Sequence, residues 1–249
     1  MINRHFCKKP LWECTQELAA VAQGRTPADV VITNARLVNV CTAEIQEGVD
    51  VAIAVGRIAY IGHADYCIGA NTQVIDAHGA FIAPGFLDGH IHVESSMMGV
   101  GEYARAVVPH GTTGVYLDPH EICNVLGLPG VRVMMDDAAR TPLKAMLTTP
   151  SCVPAVPGFE DTGSSIGPAE VAETMQWDTV VGLGEMMNFP GILAGTDHAH
   201  GEVDATLAAG KTVTGRLPGR RGCARSLSSI LYVLITGMCL CPALGFMWL

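Results

Sequence analysis

The chain has 249 residues, 49% of them apolar and 16% charged, with a formal net charge of −9. That is enough apolar material for one large domain or two modest ones, and the acidic balance argues against nucleic acid as the main partner. Its nine cysteines include no C-x-x-C pair, which fits reduced thiols better than a disulfide framework, and no apolar leader opens the chain, so a cytoplasmic setting is expected.

Residues 11–24 suit a short helix ended by Gly24. From residue 28 to 83 the pattern changes to short β-branched runs, at 30–32, 35–40, 49–54, 57–62 and 73–77, separated by turn signals such as Thr33-Asn34 and Val55-Gly56. Closely spaced strands without helices between them predict a small antiparallel β domain. Beyond residue 84 strand-like and helix-like segments alternate. Helices are expected over 101–110, 130–140, 168–175 and 203–209. Strands are expected over 111–118, 144–149, 179–185 and from 211. This alternation predicts a parallel sheet with functional groups at strand C-termini. The expected organisation is an N-terminal helical segment (1–27), the β domain (28–83), four to five β/α units (84–215) and a tail (216–249).

The tail differs in kind. All 24 acidic residues precede residue 205, four arginines fall between 216 and 225, and no charge follows. An uncharged run of this length after arginines could span a bilayer. Pro242 and Gly245 interrupt it, and a membrane anchor is not the expected reading.

Four clusters fall where strands should end. His90 and His92 stand two apart, so in an extended strand both imidazoles point to one face and can share a divalent ion. Asp118-Pro119-His120-Glu121 follows the next strand, although Asp118 taken alone reads more readily as a helix or turn cap. Glu185 closes the otherwise apolar run 179–185, where a lone carboxylate is costly without a cation or donor. Asp197-His198-Ala199-His200 is either a further ligand group or a solvated loop. Imidazole and carboxylate together suit zinc, manganese or iron. His92-Val93-Glu94 matches half of a cytidine-deaminase zinc signature, but the Pro-Cys-x-x-Cys half is missing. There is no P-loop or dinucleotide fingerprint.

These motifs carry a resemblance. The stretch Pro84-Gly85-Phe86-Leu87-Asp88-Gly89-His90-Ile91-His92 is similar to the amidohydrolase superfamily. Three further stretches resemble, within it, the bacterial adenine deaminases: His92-Val93-Glu94-Ser95-Ser96-Met97, the run from Asp118 to Gly127, and Gly184-Glu185-Met186-Met187-Asn188 with Pro190-Gly191. The resemblance implies an α/β fold, a partial (β/α)8 TIM-like barrel beside a small N-terminal β-sandwich. It implies hydrolysis of adenine to hypoxanthine and ammonia, with a homo-oligomer as one state open to full-length members. His90, His92 and Glu185 match metal ligands, manganese being the expected ion with iron or zinc as alternatives. Glu185, Asp118 and His120 match residues at the catalytic site. Family members continue Thr-Val-Thr-Gly with a ligand histidine, whereas Arg216 follows Gly215 here. The expectation is therefore a frameshifted tail over 216–249, a barrel cut about half way, and weak or absent activity. The alternatives are a dihydroorotase-like or amino-sugar deacetylase-like hydrolase, or a non-catalytic remnant. Glu185 in place of a bridging lysine speaks against the dihydroorotase-like form.

Overall fold

The structure is a computed structural model that describes residues 9–151 and 153–215. It falls into two compact units divided after Gly85. The tail, with both its frameshift and its membrane readings, lies outside the described residues. Among the described residues no helix is long and apolar enough to cross a membrane.

The N-terminal unit begins with helix α1 (Leu11–Ala22). Cys14, Leu18 and Val21 recur at helical spacing, so one stripe of α1 packs on the sheet while the other face stays in water. Gly24, at φ +69°, turns the chain out of the helix. Five strands follow: β1 (Val30–Asn39), β2 (Glu44–Ala54), β3 (Arg57–Gly62), β4 (Gln73–Asp76) and β5 (Phe81–Ile82). They form one sheet in the order β3-β2-β1-β4, with β5 also on β1. The β2–β3 hairpin closes on Val55 and Gly56 alone, both at positive φ (48° and 75°), a primed two-residue turn that matches strand twist.

Three expectations need correction here. Thr33-Asn34 does not separate two strands. β1 runs through it, with a register irregularity between Ile32 and Ala35 and Asn34 at φ 55°. The Asn34 N–H donates to Asp50 Oδ1 (3.1 Å), so the polar pair makes a kink and not a reversal. Nor is the sheet purely antiparallel, because β4 and β5 both pair with β1 in parallel. The segment between β3 and β4, which contains the helical turn Asp65–Cys67, provides the crossover a parallel partner requires. Finally, the expected sandwich corresponds to a single sheet with α1 against it; among the described residues of this unit no second sheet faces it.

The second unit alternates strand and helix. Its strands are β6 (Phe86–Ile91), β7 (Thr112–Leu117), β8 (Lys144–Thr149), β9 (Val180–Met186) and β10 (Thr212–Gly215). All neighbours are parallel and their spatial order is sequential, β10-β9-β8-β7-β6. A sheet that never reverses its order winds like a barrel wall, whereas a doubly wound sheet switches direction part-way. The helices are α2 (Val100–Val107), α3 (His120–Leu126), α4 (Leu128–Ala138), α5 (Pro168–Thr174), α6 (Phe189–Ala194) and α7 (Asp197–Ala208). Val115, Leu117, Ala145, Leu147 and Leu183 of the strands pack with Val100, Val131, Met134, Val171 and Val203 of the helices in one buried core.

Two helices, α3 and α6, are additional to the expected elements, and α7 begins six residues earlier than the pattern 203–209 suggests. Asp197 to His200 is therefore the first turn of a helix and not a loop.

Candidate metal centre

β6 is extended through its end, and His92 keeps extended dihedrals (φ −100°, ψ 97°). The i, i+2 geometry therefore holds. His90 Nε2 and His92 Nε2 lie 3.0 Å apart, with rings edge-to-face. Glu185, one residue before the end of β9, brings Oε1 to 2.5 Å from His90 Nε2 and 3.6 Å from His92 Nε2. Among the described residues, His90, His92 and Glu185 are the one group whose ligand atoms converge well enough to hold an ion. Donor atoms that each sit about 2.0–2.2 Å from a single ion stand roughly 3 Å from one another, which is the spacing found here. Two nitrogens and a carboxylate oxygen also suit a borderline divalent cation chemically.

The surroundings orient this group. His92 Nδ1 donates to the Asp118 carbonyl (2.9 Å), which leaves Nε2 bare toward Glu185. Burial works to lower the His92 pKa, but the charges of Asp118, Glu121 and Glu185 and the bond to the Asp118 carbonyl together raise it. His120, at the start of α3, sets its ring edge-to-face with His92 at 5.8 Å. Burial and the neighbouring His92 charge lower its pKa.

Asp118 is fully buried just past β7. Its Oδ2 accepts the Glu185 N–H (3.0 Å), while Oδ1 is buried with no hydrogen-bond partner. Burial pushes its pKa up to about 7; the Glu185 N–H and His92 pull it down, and the charges of Glu185 and Glu94 add to the rise.

Asp118, His120, His90, His92 and Glu185 are thus brought together. The fourth cluster is not joined to them. His200 Nε2 contacts the Ile192 carbonyl (2.9 Å), and His198 Nε2 stands 3.6 Å from Glu202, four residues along the same helix.

Some neighbours had no role assigned from the sequence. Glu94 Oε1 accepts the Ile122 N–H (3.2 Å), and the Ser95 hydroxyl donates to Glu121. Glu94 Oε2, Glu121 Oε2 and Asn124 Oδ1 are buried without hydrogen-bond partners. Ser151, just past β8, donates to the Glu185 carbonyl (2.6 Å). Its only signal in the sequence is its place after a strand end.

The chain is 69% identical over 215 residues to an adenine deaminase of Clostridium botulinum (strain ATCC 19397 / Type A), covering 86% of this chain and 36% of that protein. It is 58% identical over 208 residues to an adenine deaminase of Moorella thermoacetica, covering 84% and 35%. A solved adenine deaminase structure aligns at 19% identity over 63% of this chain and 40% of that one, with a TM-score of 0.44. The chain thus spans about a third of the length of the relatives it matches in sequence. The sequence model of the amidohydrolase family matches residues 81–212, more than half of the chain and a span that contains His90, His92, Asp118 and Glu185. On that match, this chain belongs to the amidohydrolase family.

Proposed function

We propose that this chain carries the first part of an adenine deaminase site, with His90, His92 and Glu185 as ligands of one divalent ion. The observation that carries this reading is the convergence of two β6 imidazoles and one β9 carboxylate within 4.8 Å. The adenine deaminase relatives support adenine as the substrate class. A bound divalent ion would supply a water nucleophilic near neutral pH for attack at the amine-bearing carbon of the purine. Manganese is the ion we favour, with iron or zinc as alternatives.

The chain's own residues then have distinct tasks. His90 and His92 hold the ion from one strand face, and the Asp118 carbonyl keeps the His92 ring turned toward it. Glu185 is both a ligand and the carboxylate placed to carry a proton toward the leaving amine. His120 sits beside His92 and offers its ring to substrate. A cytosolic setting goes with this reading, and Cys14, Cys67 and Cys123 are buried free thiols.

Arg216 stands where the resembled family has a histidine ligand, and we expect turnover by this chain to be weak. Purified protein titrated with Mn2+ or Co2+ is the direct test. One bound ion, lost in His90→Ala and in Glu185→Gln, is the expected result, and unchanged binding in both variants would refute the site. Ammonia release measured with adenine, dihydroorotate and acetylated amino sugars then assigns the substrate. Activity on either of the latter two and none on adenine would overturn the deaminase reading.

A further inference from the structure

We propose that Asp118 is a positioning residue, one half of a side-chain clamp on the backbone of Glu185, with Ser151 as the other half. The inference rests on the site reading above and deepens it.

β9 outruns its neighbour. Its last pair with β8 is Leu183 opposite Thr149, where β8 ends. The β9 backbone at Glu185 therefore lies beyond the β8 ladder, and two side chains from other strand ends meet it there. Asp118 arrives from the end of β7, two strands away in the sheet, and its Oδ2 accepts the Glu185 N–H at 3.0 Å. Ser151 arrives from the end of β8, and its hydroxyl donates to the Glu185 carbonyl at 2.6 Å. Both side chains are buried, Asp118 wholly and Ser151 to within 3%. A single peptide position is thereby gripped at its donor and at its acceptor. The ligand side chain leaves the backbone between those two points, so its direction toward His90 and His92 is set by them.

The packing at residue 184 makes the same point independently. A Cβ built on Gly184 would lie within 3.0 Å of all three carboxyl atoms of Asp118. A side chain at 184 would therefore have to displace the Asp118 carboxylate, which is buried and bonded to the Glu185 N–H. A general acid or base needs access to substrate, whereas a carboxylate wedged against the strand carrying the ligand is placed to hold that ligand still.

The test uses the full chain and the variants Asp118→Asn, Asp118→Ala, Ser151→Ala and Gly184→Ala. Hydrogen exchange at the Glu185 amide reads the clamp without any metal. Slow exchange is expected in the parent and in Asp118→Asn, whose amide oxygen still accepts. Exchange about tenfold faster or more is expected in Asp118→Ala, the amide having lost a bond to a charged acceptor. Co2+ binding and its visible absorption bands read the consequence. Affinity should fall by roughly ten- to a hundredfold, with altered bands, in Asp118→Ala and Gly184→Ala, and less in Ser151→Ala. Asp118→Asn should restore both.

Equal Glu185 exchange in parent and Asp118→Ala, both shown folded by circular dichroism, would overturn the clamp. So would Asp118→Asn ligating Co2+ as poorly as Asp118→Ala. If the parent binds no Co2+, or His90→Ala binds it equally well, the metal reading fails, and the exchange measurement still decides the clamp.

Discussion

Two buried aspartates, one in each unit, show the difference between holding a fold and building a site. Asp50, on β2 of the mixed sheet, spends both oxygens on the backbone: Oδ1 on the Asn34 N–H and Oδ2 on the Ala64 N–H (2.9 Å). Asp118, at a strand end of the parallel sheet, spends one oxygen on Glu185 and leaves the other buried without a hydrogen bond. Around it Glu94, Glu121 and Asn124 each leave an oxygen in the same condition. A satisfied carboxylate stabilises local structure, while a group of incompletely satisfied acceptors stores binding capacity for something that brings positive charge or donors.

The comparison can be broken most directly by removing each kind of carboxylate. Asp50→Ala strands the buried Ala64 N–H and removes the acceptor of the partly buried Asn34 bond, and urea unfolding should report a loss of roughly 2–4 kcal/mol. Glu185→Gln keeps the shape of the side chain and removes a buried carboxylate that lies beside the His90 and His92 rings. In metal-free protein the relieved desolvation cost offsets the lost contacts, so stability should stay within about 1 kcal/mol of the parent, while ion binding is lost. Equal destabilisation by the two substitutions would erase the distinction.

Glu202 sharpens it further. This α7 residue is buried, its Oε1 has no hydrogen bond, and burial pushes its pKa up to about 8. Because the folded value lies above the unfolded value of about 4.3, its contribution is whole below that pH and is lost as pH rises through 8. Thermal unfolding at pH 5 and pH 8 should show a fall in Tm in the parent. In Glu202→Gln the fall should be smaller by about 4 °C or more.

The smallest effect belongs to the hairpin. Gly56→Ala forces a Cβ into φ 75°, in open space, and should cost about 1 kcal/mol without touching ion binding.

Much of the site was legible because local chemistry carried it. His90 and His92 share a face through the period of a strand, and Glu185 stood out as a lone acid in an apolar run. What was not legible depends on partners distant in sequence. Asn34 reads as a turn residue, and only its bond to Asp50 shows that it kinks a continuous strand. The parallel pairing of β4 and β5 with β1 follows from how the crossovers run, which alternating hydrophobicity does not encode. Ser151 has no motif, since its hydroxyl serves a carbonyl 34 positions away. The helices α3 and α6 are only seven and six residues long, too short for a period to declare itself, although α3 begins at the site with His120. His198 and His200 looked like candidate ligands because a helical first turn and a polar loop share the same composition.

The fit of Asp118 against Gly184 has an evolutionary corollary. An alanine that arrives at 184 first collides with the carboxylate, and a smaller residue that arrives at 118 first releases the strand. Neither position can drift alone, so across related chains the two should change together or stay as they are.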